Sequence, residues 1–208
     1  VCRLGVAGTL VQCSSSEAYG TARYVPMDED HPLVPCTPYA ASKAAEDQLV
    51  LSYINTFGID AAVVRPFNNY GPRQNSHQYA GIIPVIVQKV LSGEPVVING
   101  TGEQTRDYVY VKDTADAIVK AYSRSETRGE VVNIGTGAEI SVKDLVGRIL
   151  RLLDKENHPV VFGEQRPGDV MRHCSSTEKA KRLIDYVPSP MNDEALAETV
   201  DWYRRRLS

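Results

Sequence analysis

The sequence predicts an α/β fold built on parallel strands, and three observations predict it. Short runs of β-branched residues alternate with longer stretches of helical periodicity along the chain. Clusters of Gly, Pro, Asn and Asp punctuate the boundaries between them, where a layered scaffold puts its ligand loops. At 208 residues and 42% hydrophobic, the chain is long enough to bury one core, or one core and a small lobe, without disulfides or a metal.

The first strand is expected over Thr9 to Ser14. The turn-rich stretch Tyr19 to Pro38 separates it from a helix over Pro38 to Phe57, which Gly58 ends as a left-handed cap. A strand over Asp60 to Pro66 runs into the turn-rich Asn68 to Tyr79. A helix over Ala80 to Leu91 stops at Gly93, a strand over Pro95 to Asn99 enters the loop Asn99 to Arg106, and a helix follows over Lys112 to Ser123. Glu130 to Ile134 reads as the next strand and Gly135 to Ile140 as the next loop. Ser141 then caps a helix over Val142 to Asp154, with Asp144 at the third position in a capping-box variant. A strand over Val160 to Gly163, a loop over Glu164 to Arg172, and helices over Ser176 to Tyr186 and Asp193 to Arg206 complete the order.

A formal net charge of −3 gives no general basic field. The one cationic cluster, Arg204-Arg205-Arg206, falls at the end of a helix, where cations suit the negative terminus, so no nucleic-acid partner is expected. Cys2, Cys13, Cys36 and Cys174 are scattered without a CxxC pair, which argues against a zinc site and a disulfide scaffold and fits reduced thiols in the cytoplasm. No metal is expected. No apolar run reaches the roughly 20 residues of a membrane span, and no basic-then-apolar leader opens the chain, so no membrane partner is expected either.

Tyr39-Ala-Ala-Ser-Lys43 opens the first predicted helix. Residues four apart share a helical face, so the Lys43 ammonium is in position to stabilise a Tyr39 phenolate; a free tyrosine, with a pKa of about 10, is a poor base near neutrality. Taken alone, the pattern equally describes a first-turn Tyr beside a solvated Lys. Just upstream, the first strand runs out in Cys13-Ser14-Ser15-Ser16-Glu17-Ala18-Tyr19-Gly20, whose serines alone would be ordinary polar residues at a strand end. The second strand exits through Arg65-Pro66-Phe67-Asn68-Asn69-Tyr70-Gly71-Pro72-Arg73-Gln74. Gly93 to Asp107, continued by Tyr108-Val-Tyr-Val-Lys-Asp113, and Arg166-Pro-Gly-Asp169 with Arg172 nearby complete the set. Arginines on two separate loops suit a ligand with two phosphate charges, whereas Arg106 by itself would as readily pair with Asp107 or Asp113 at the surface.

Taken in chain order, these strings resemble the extended short-chain dehydrogenase/reductase family, and within it the NAD-dependent nucleotide-sugar epimerases, dehydratases and decarboxylases. The resemblance covers essentially the whole chain. It implies a partial Rossmann-like parallel sheet with a smaller C-terminal α/β substrate-binding lobe. Residues 1–75 would be the C-terminal part of the cofactor domain with the catalytic motifs, and residues 76–208 a nucleotide-sugar-binding region partly interleaved with it. It implies NAD as cofactor, with NADP left open, touching Ser14, Tyr39, Lys43, Pro66 and Phe67. It implies Tyr39 as base with Lys43 beside it, Ser15 on the sugar O4, and Ser16 and Glu17 in the chemistry that follows. For a nucleoside-diphosphate sugar it implies Asn68, Arg106 and Arg166 at the diphosphate, Val97 and Asn99 near the base, and Asp169 at the ribose. A homodimer or a complementing second chain is implied as the assembly.

Within this family a glutamate at the position of Glu17 marks dehydratases, where it takes the C5 proton once C4 is a ketone. Ser16 falls where many of them carry an aspartic acid, and sugar-nucleotide decarboxylases also show Ser-Glu. The resemblance therefore favours 4,6-dehydration, with 4-epimerisation and uronate decarboxylation as alternatives and a truncated, non-catalytic nucleotide-sugar-binding remnant as another class of reading. Family members open with a strand, a GxxGxxG turn and a helix whose N-terminus binds the cofactor diphosphate. Gly5 to Gly8 has no strand before it, and Gly135-Thr-Gly137 comes too late in the order, so neither is expected to serve. The chain is thus expected not to build a complete dinucleotide site alone, with the open edge of its first strand covered by residues near Val1 or by a second chain.

Overall fold

The structure is a computed structural model that describes residues 2–5, 7–75, 81–165 and 170–207. In chain order its elements are β1 (Leu10–Cys13), α1 (Pro38–Phe57), β2 (Ala61–Pro66), β3 (Asn68–Tyr70), α2 (Ile82–Leu91), β4 (Val96–Asn99), β5 (Thr105–Arg106), β6 (Tyr108–Tyr110), α3 (Val111–Ser123), β7 (Val131–Ile134), β8 (Ile140–Ser141), α4 (Val142–Leu152), β9 (Val160–Gly163), α5 (Glu178–Ile184) and α6 (Asp193–Leu207). The five predicted strands form, each within about one residue of its expected limits.

The central sheet is parallel, in the order β1-β2-β7, with Gln12 opposite Val63 and Val63 opposite Val131. Every residue of β2 is buried, as an Ala-Ala-Val-Val run between two neighbours and two covered faces requires. Val64, Val132 and Ile134 pack with Ala117 and Ala121 of α3 and with Ala180 and Ile184 of α5. A second core joins the apolar faces of α2, α4 and α6 through Ile83, Val87, Leu145, Ile149, Leu196 and Tyr203, with Val96 and Ile98 of β4. β4 pairs in parallel with β9, Val97 opposite Val161.

Local chemistry sets the helix ends. The Thr37 hydroxyl accepts from Ala40 N at 3.1 Å, Pro38 occupies the first turn of α1, and Gly58 closes it at φ 60°. Ser141 accepts from Asp144 N at 3.0 Å at the start of α4. In the last turn of α6, Arg205 donates to Asp201 O and Arg206 stacks over Trp202.

Two expectations need correction. The stretches read as loops after β2, around Arg106 and before Ser141 contain short strands: β3 pairs in parallel with β6, and β5 antiparallel with β8. These pairings satisfy backbone groups that an irregular loop would leave bare as it approaches the core. The helix expected over Ser176 to Tyr186 is shorter, because Asp185 turns left-handed at φ 49° and the Tyr186 hydroxyl is drawn to Gly135 O at 3.0 Å. The free side of β1 is not paired by any strand among the described residues. Near the start, Cys2–Leu4 instead forms a 3-10 turn from which Arg3 stacks over the Phe57 ring.

Candidate active site

The carboxyl ends of β1 and β2 open side by side, the place where open α/β sheets put ligands. Ser14 N still bonds Val64 O at 2.8 Å, and the chain then bends. Ser15 is extended and its hydroxyl accepts from Glu17 N at 3.2 Å, capping a one-turn 3-10 helix over Ser16–Tyr19 with Glu17 in it. Ala18 and Tyr19 are fully buried and pin that turn; the Tyr19 hydroxyl donates to Asn133 Oδ1 at 2.7 Å. Burial pushes the Tyr19 pKa up to about 12, so this phenol is unsuited to act as a base.

Tyr39, by contrast, is 57% exposed at the first turn of α1. One turn on, the Lys43 ammonium donates to Cys13 O at 3.3 Å and to Glu46 Oε2 at 2.9 Å, and Gln12 Nε2 donates to the same Glu46 oxygen at 2.7 Å. The hydrogen bond that Lys43 donates to Glu46 raises the Lys43 pKa, which keeps the ammonium charged, and the contact to Cys13 holds it at the end of β1 beside Ser14.

Pro66 and Phe67 leave β2 into the same space; Phe67 N donates to Ile134 O at 2.8 Å, extending the sheet by one bond. Asn68 N donates to Asp107 O at 3.1 Å as β3 lines up with β6. From the second lobe come Val97 and Asn99 on β4, with Asn99 O accepting from the buried Gln104 Nε2 at 2.8 Å, and Arg106, whose Nη1 donates to Thr105 O at 2.9 Å. Asp107 is not a surface partner: it is fully buried and bound by Thr136, Gly137 and Ser175.

These side chains line one cleft of about 1090 Å³. Ser14, Ser15, Ser16, Glu17, Tyr39, Pro66, Phe67 and Asn68 line it together with Val97, Asn99 and Arg106. Lys43 is not among the lining residues; its ammonium lies behind Cys13, which lines the cleft and whose carbonyl it bonds. Arg166 and Asp169 lie outside the described residues. The volume is just above the roughly 300–1,000 Å³ usual for small-molecule sites, which suits an extended ligand. The Ser14 hydroxyl is buried without a hydrogen-bond partner where it borders the cleft, so the residues at this end fit a polar ligand such as a nicotinamide ribose. Among the described lining residues, Glu17 is the one carboxylate.

Sequence reading missed several contributors. Ile82 and Ile86 of α2 and Val142 and Val146 of α4 supply an apolar wall, a role their core-like helical spacing does not distinguish from packing. His173, buried with both ring nitrogens unpartnered, lies against Phe67 with ring centroids 4.9 Å apart. Arg65 and Asp47 form a buried ion pair behind the cleft, and an Arg within an apolar strand was the available signal.

Comparison with known proteins gives consistent findings. Residues 1–135 match the family model described as the NAD dependent epimerase/dehydratase family. A UDP-glucose 4-epimerase of Mycolicibacterium smegmatis is 34% identical over 202 residues, 97% of this chain and 64% of that protein. A dTDP-glucose 4,6-dehydratase of Streptomyces griseus is 35% identical over 206 residues, 99% of this chain and 61% of that protein. The chain spans about three fifths of the length of these relatives. Among solved structures, UDP-glucose 4-epimerase from Thermotoga maritima with UDP-glucose superimposes with a TM-score of 0.92 at 31% identity, over 99% of this chain and 66% of that one. A dTDP-glucose 4,6-dehydratase from Streptomyces venezuelae with NAD bound gives 0.90 at 32% identity, over 98% of this chain and 62% of that one.

Proposed function

From the premise that the chain belongs to the NAD-dependent epimerase/dehydratase family, we propose that its cleft carries out the proton chemistry of a nucleoside-diphosphate-sugar 4,6-dehydratase. The observation that carries this reading is the turn after β1: Ser15 and Glu17 are linked through one hydrogen bond and line the same cleft as the exposed Tyr39. The relatives' names support the coarser class, nucleotide-sugar epimerase or dehydratase, and the printed cofactor of the Streptomyces venezuelae structure supports NAD.

Ser14, Lys43, Pro66 and Phe67 would hold NAD at its nicotinamide end, where it would supply hydride acceptance from C4 and hydride return at C6. Ser15 orients the O4 hydroxyl, and Tyr39, as phenolate beside the Lys43 ammonium, takes its proton as C4 becomes a ketone. The ketone acidifies the C5 proton, which Glu17 removes. The C5–H electron pair forms the C5–C6 double bond, and the C6 hydroxyl leaves as water with the proton that Glu17 has just taken; hydride added at C6 moves the double-bond pair to C5, which takes its proton from solvent. Each proton transfer of this kind is worth about 10²- to 10⁴-fold. Asn68 and Arg106, with Arg166, hold the diphosphate, and Val97 and Asn99 flank the base.

One observation favours 4-epimerisation as a second reading. Ser16 stands buried where a second acid would assist departure of the hydroxyl, and among the described lining residues Glu17 alone bears a carboxylate. The test joins this chain to a glycine-rich cofactor-binding segment of the family and follows cofactor reduction and solvent-deuterium incorporation at C5 with UDP- and dTDP-glucose, in parent, Tyr39→Phe and Glu17→Gln proteins. Dehydration predicts that Tyr39→Phe stops cofactor reduction, whereas Glu17→Gln allows it and stops C5 exchange. A 4-epimer formed without C5 exchange, in parent and Glu17→Gln alike, selects the second reading. No turnover of any nucleotide sugar, with nucleotide binding intact, selects the non-catalytic one.

A further inference from the structure

The Gly135-Thr136-Gly137 turn is the glycine pair that the dinucleotide reading leaves without a role, and the structure gives it an occupant. Both carboxylate oxygens of Asp107 sit against it. Oδ1 accepts from Thr136 N at 2.8 Å and Thr136 Oγ1 at 2.6 Å, and Oδ2 accepts from Gly137 N at 3.0 Å. Ser175 closes the other side, its N and Oγ donating to Oδ2 at 3.0 and 2.5 Å. Successive backbone amides in a tight turn form an anion-binding concavity of the sort that elsewhere takes phosphate, and here a carboxylate of the same chain fills it. Gly135 is required by the fit: a Cβ there would stand 2.3 Å from Ser175 Oγ and 2.8 Å from Asp107 Oδ2.

The backbone of the same residue reaches two further segments. Asp107 N donates to His173 O at 2.8 Å, beside Thr105 N to Met171 O at 2.9 Å, so residues 171–173 run alongside 105–107. Asp107 O accepts from Asn68 N at 3.1 Å. Side chains alternate faces in extended backbone, so an Asp107 committed to the buried side turns its neighbour Arg106 to the cleft, which Arg106 lines.

We propose that Asp107 is a positioning residue: seated in the Thr136-Gly137 turn, it holds Arg106 and Asn68 in one register so that the guanidinium is pre-set for a ligand diphosphate. The proposal rests on the reading of Arg106 as a diphosphate ligand. An arginine already fixed in place gives up less freedom on binding than one on a mobile loop. Its contribution therefore depends on Asp107 without any contact between Asp107 and ligand.

The experiment titrates the 208-residue chain with UDP and dTDP, and by NMR with uridine and thymidine, while thermal melting reports folding. Arg106→Ala is the control for the underlying reading: if it binds the diphosphates as the parent does, Arg106 is not their ligand. Given a loss there, Asp107→Asn is expected to weaken UDP and dTDP by about tenfold or more, as for a lost charge-assisted hydrogen bond, and to leave the nucleosides unchanged. Unchanged diphosphate binding in folded Asp107→Asn overturns the proposal, and so does an equal loss for diphosphates and nucleosides. Should Asp107→Asn fail to fold, Ser175→Ala, which removes one hydroxyl donor, and Gly135→Ala, which crowds the seat, are judged by the same two criteria.

Discussion

Arg65 Nε donates to Asp47 Oδ2 at 2.8 Å, with both side chains buried. Asp47 lies two helical turns beyond Tyr39 on α1, and Arg65 immediately precedes Pro66 at the end of β2. The Arg65 guanidinium also stacks over the Tyr19 ring at 4.7 Å, in the turn that carries Glu17. One buried cation thus ties together the helix of Tyr39, the strand exit of Phe67 and the turn of Glu17.

Removing the acid leaves that cation buried and uncompensated. Asp47→Ala is expected to cost about 3–5 kcal/mol of folding stability in urea melts. The double substitution Asp47→Leu with Arg65→Leu should recover most of the loss, because two apolar side chains carry no desolvation penalty. A single-variant loss below about 1 kcal/mol, the range of a surface pair, would show that the pair does not clamp these elements.

His173 makes a pH-dependent prediction. Burial, followed by the nearby charge of Arg106, holds its pKa down at about 4, against 6.5 for a free imidazole. The folded protein therefore keeps the ring neutral where the unfolded chain takes up a proton. Stability from this group is fully present above pH 6.5 and is lost as pH falls from there toward 4. Between pH 7 and pH 5 the loss should be about 2 kcal/mol, and His173→Phe should remove that part of the slope. Parallel urea-melt stabilities for parent and variant across this window would exclude a buried neutral imidazole as the cause.

How far the sequence could be read follows from what each feature depends on. The limits of α1 were legible because Pro38 and Gly58 act within one turn of their own position. The cleft-lining positions Ser15, Glu17 and Tyr39 were legible because they sit in strings whose order matches a known family. The Arg65–Asp47 pair and the Asp107 seat were not, since each joins residues 18 to 68 positions apart, a distance over which periodicity carries no information. The short strands β5 and β8 escaped for the same reason: two residues show no alternation, and only the partner across the loop makes them a ladder.

The remaining prediction concerns the isolated 208-residue polypeptide, which should bind UDP or dTDP measurably and NAD far more weakly. A dinucleotide's diphosphate is held by free amides at the N-terminus of a helix that follows a strand and a glycine-rich turn. Among the described residues, Gly5 follows a 3-10 turn and not a strand, and the amides of Thr136 and Gly137 are taken by Asp107. At the start of α1, the Ala40 amide is taken by the Thr37 hydroxyl. The side of the cleft proposed to take the nucleotide carries Arg106 and Asn68 on paired strands, tied to the core through Asp107. β1, which would support the nicotinamide end through Ser14, is paired on one side only by the described strands. Calorimetry with UDP, dTDP and NAD on the same preparation tests this, with Arg106→Ala expected to abolish most of the nucleotide-diphosphate heat. Micromolar NAD binding to the isolated polypeptide would mean that these residues hold the cofactor by a route other than a glycine-rich helix start.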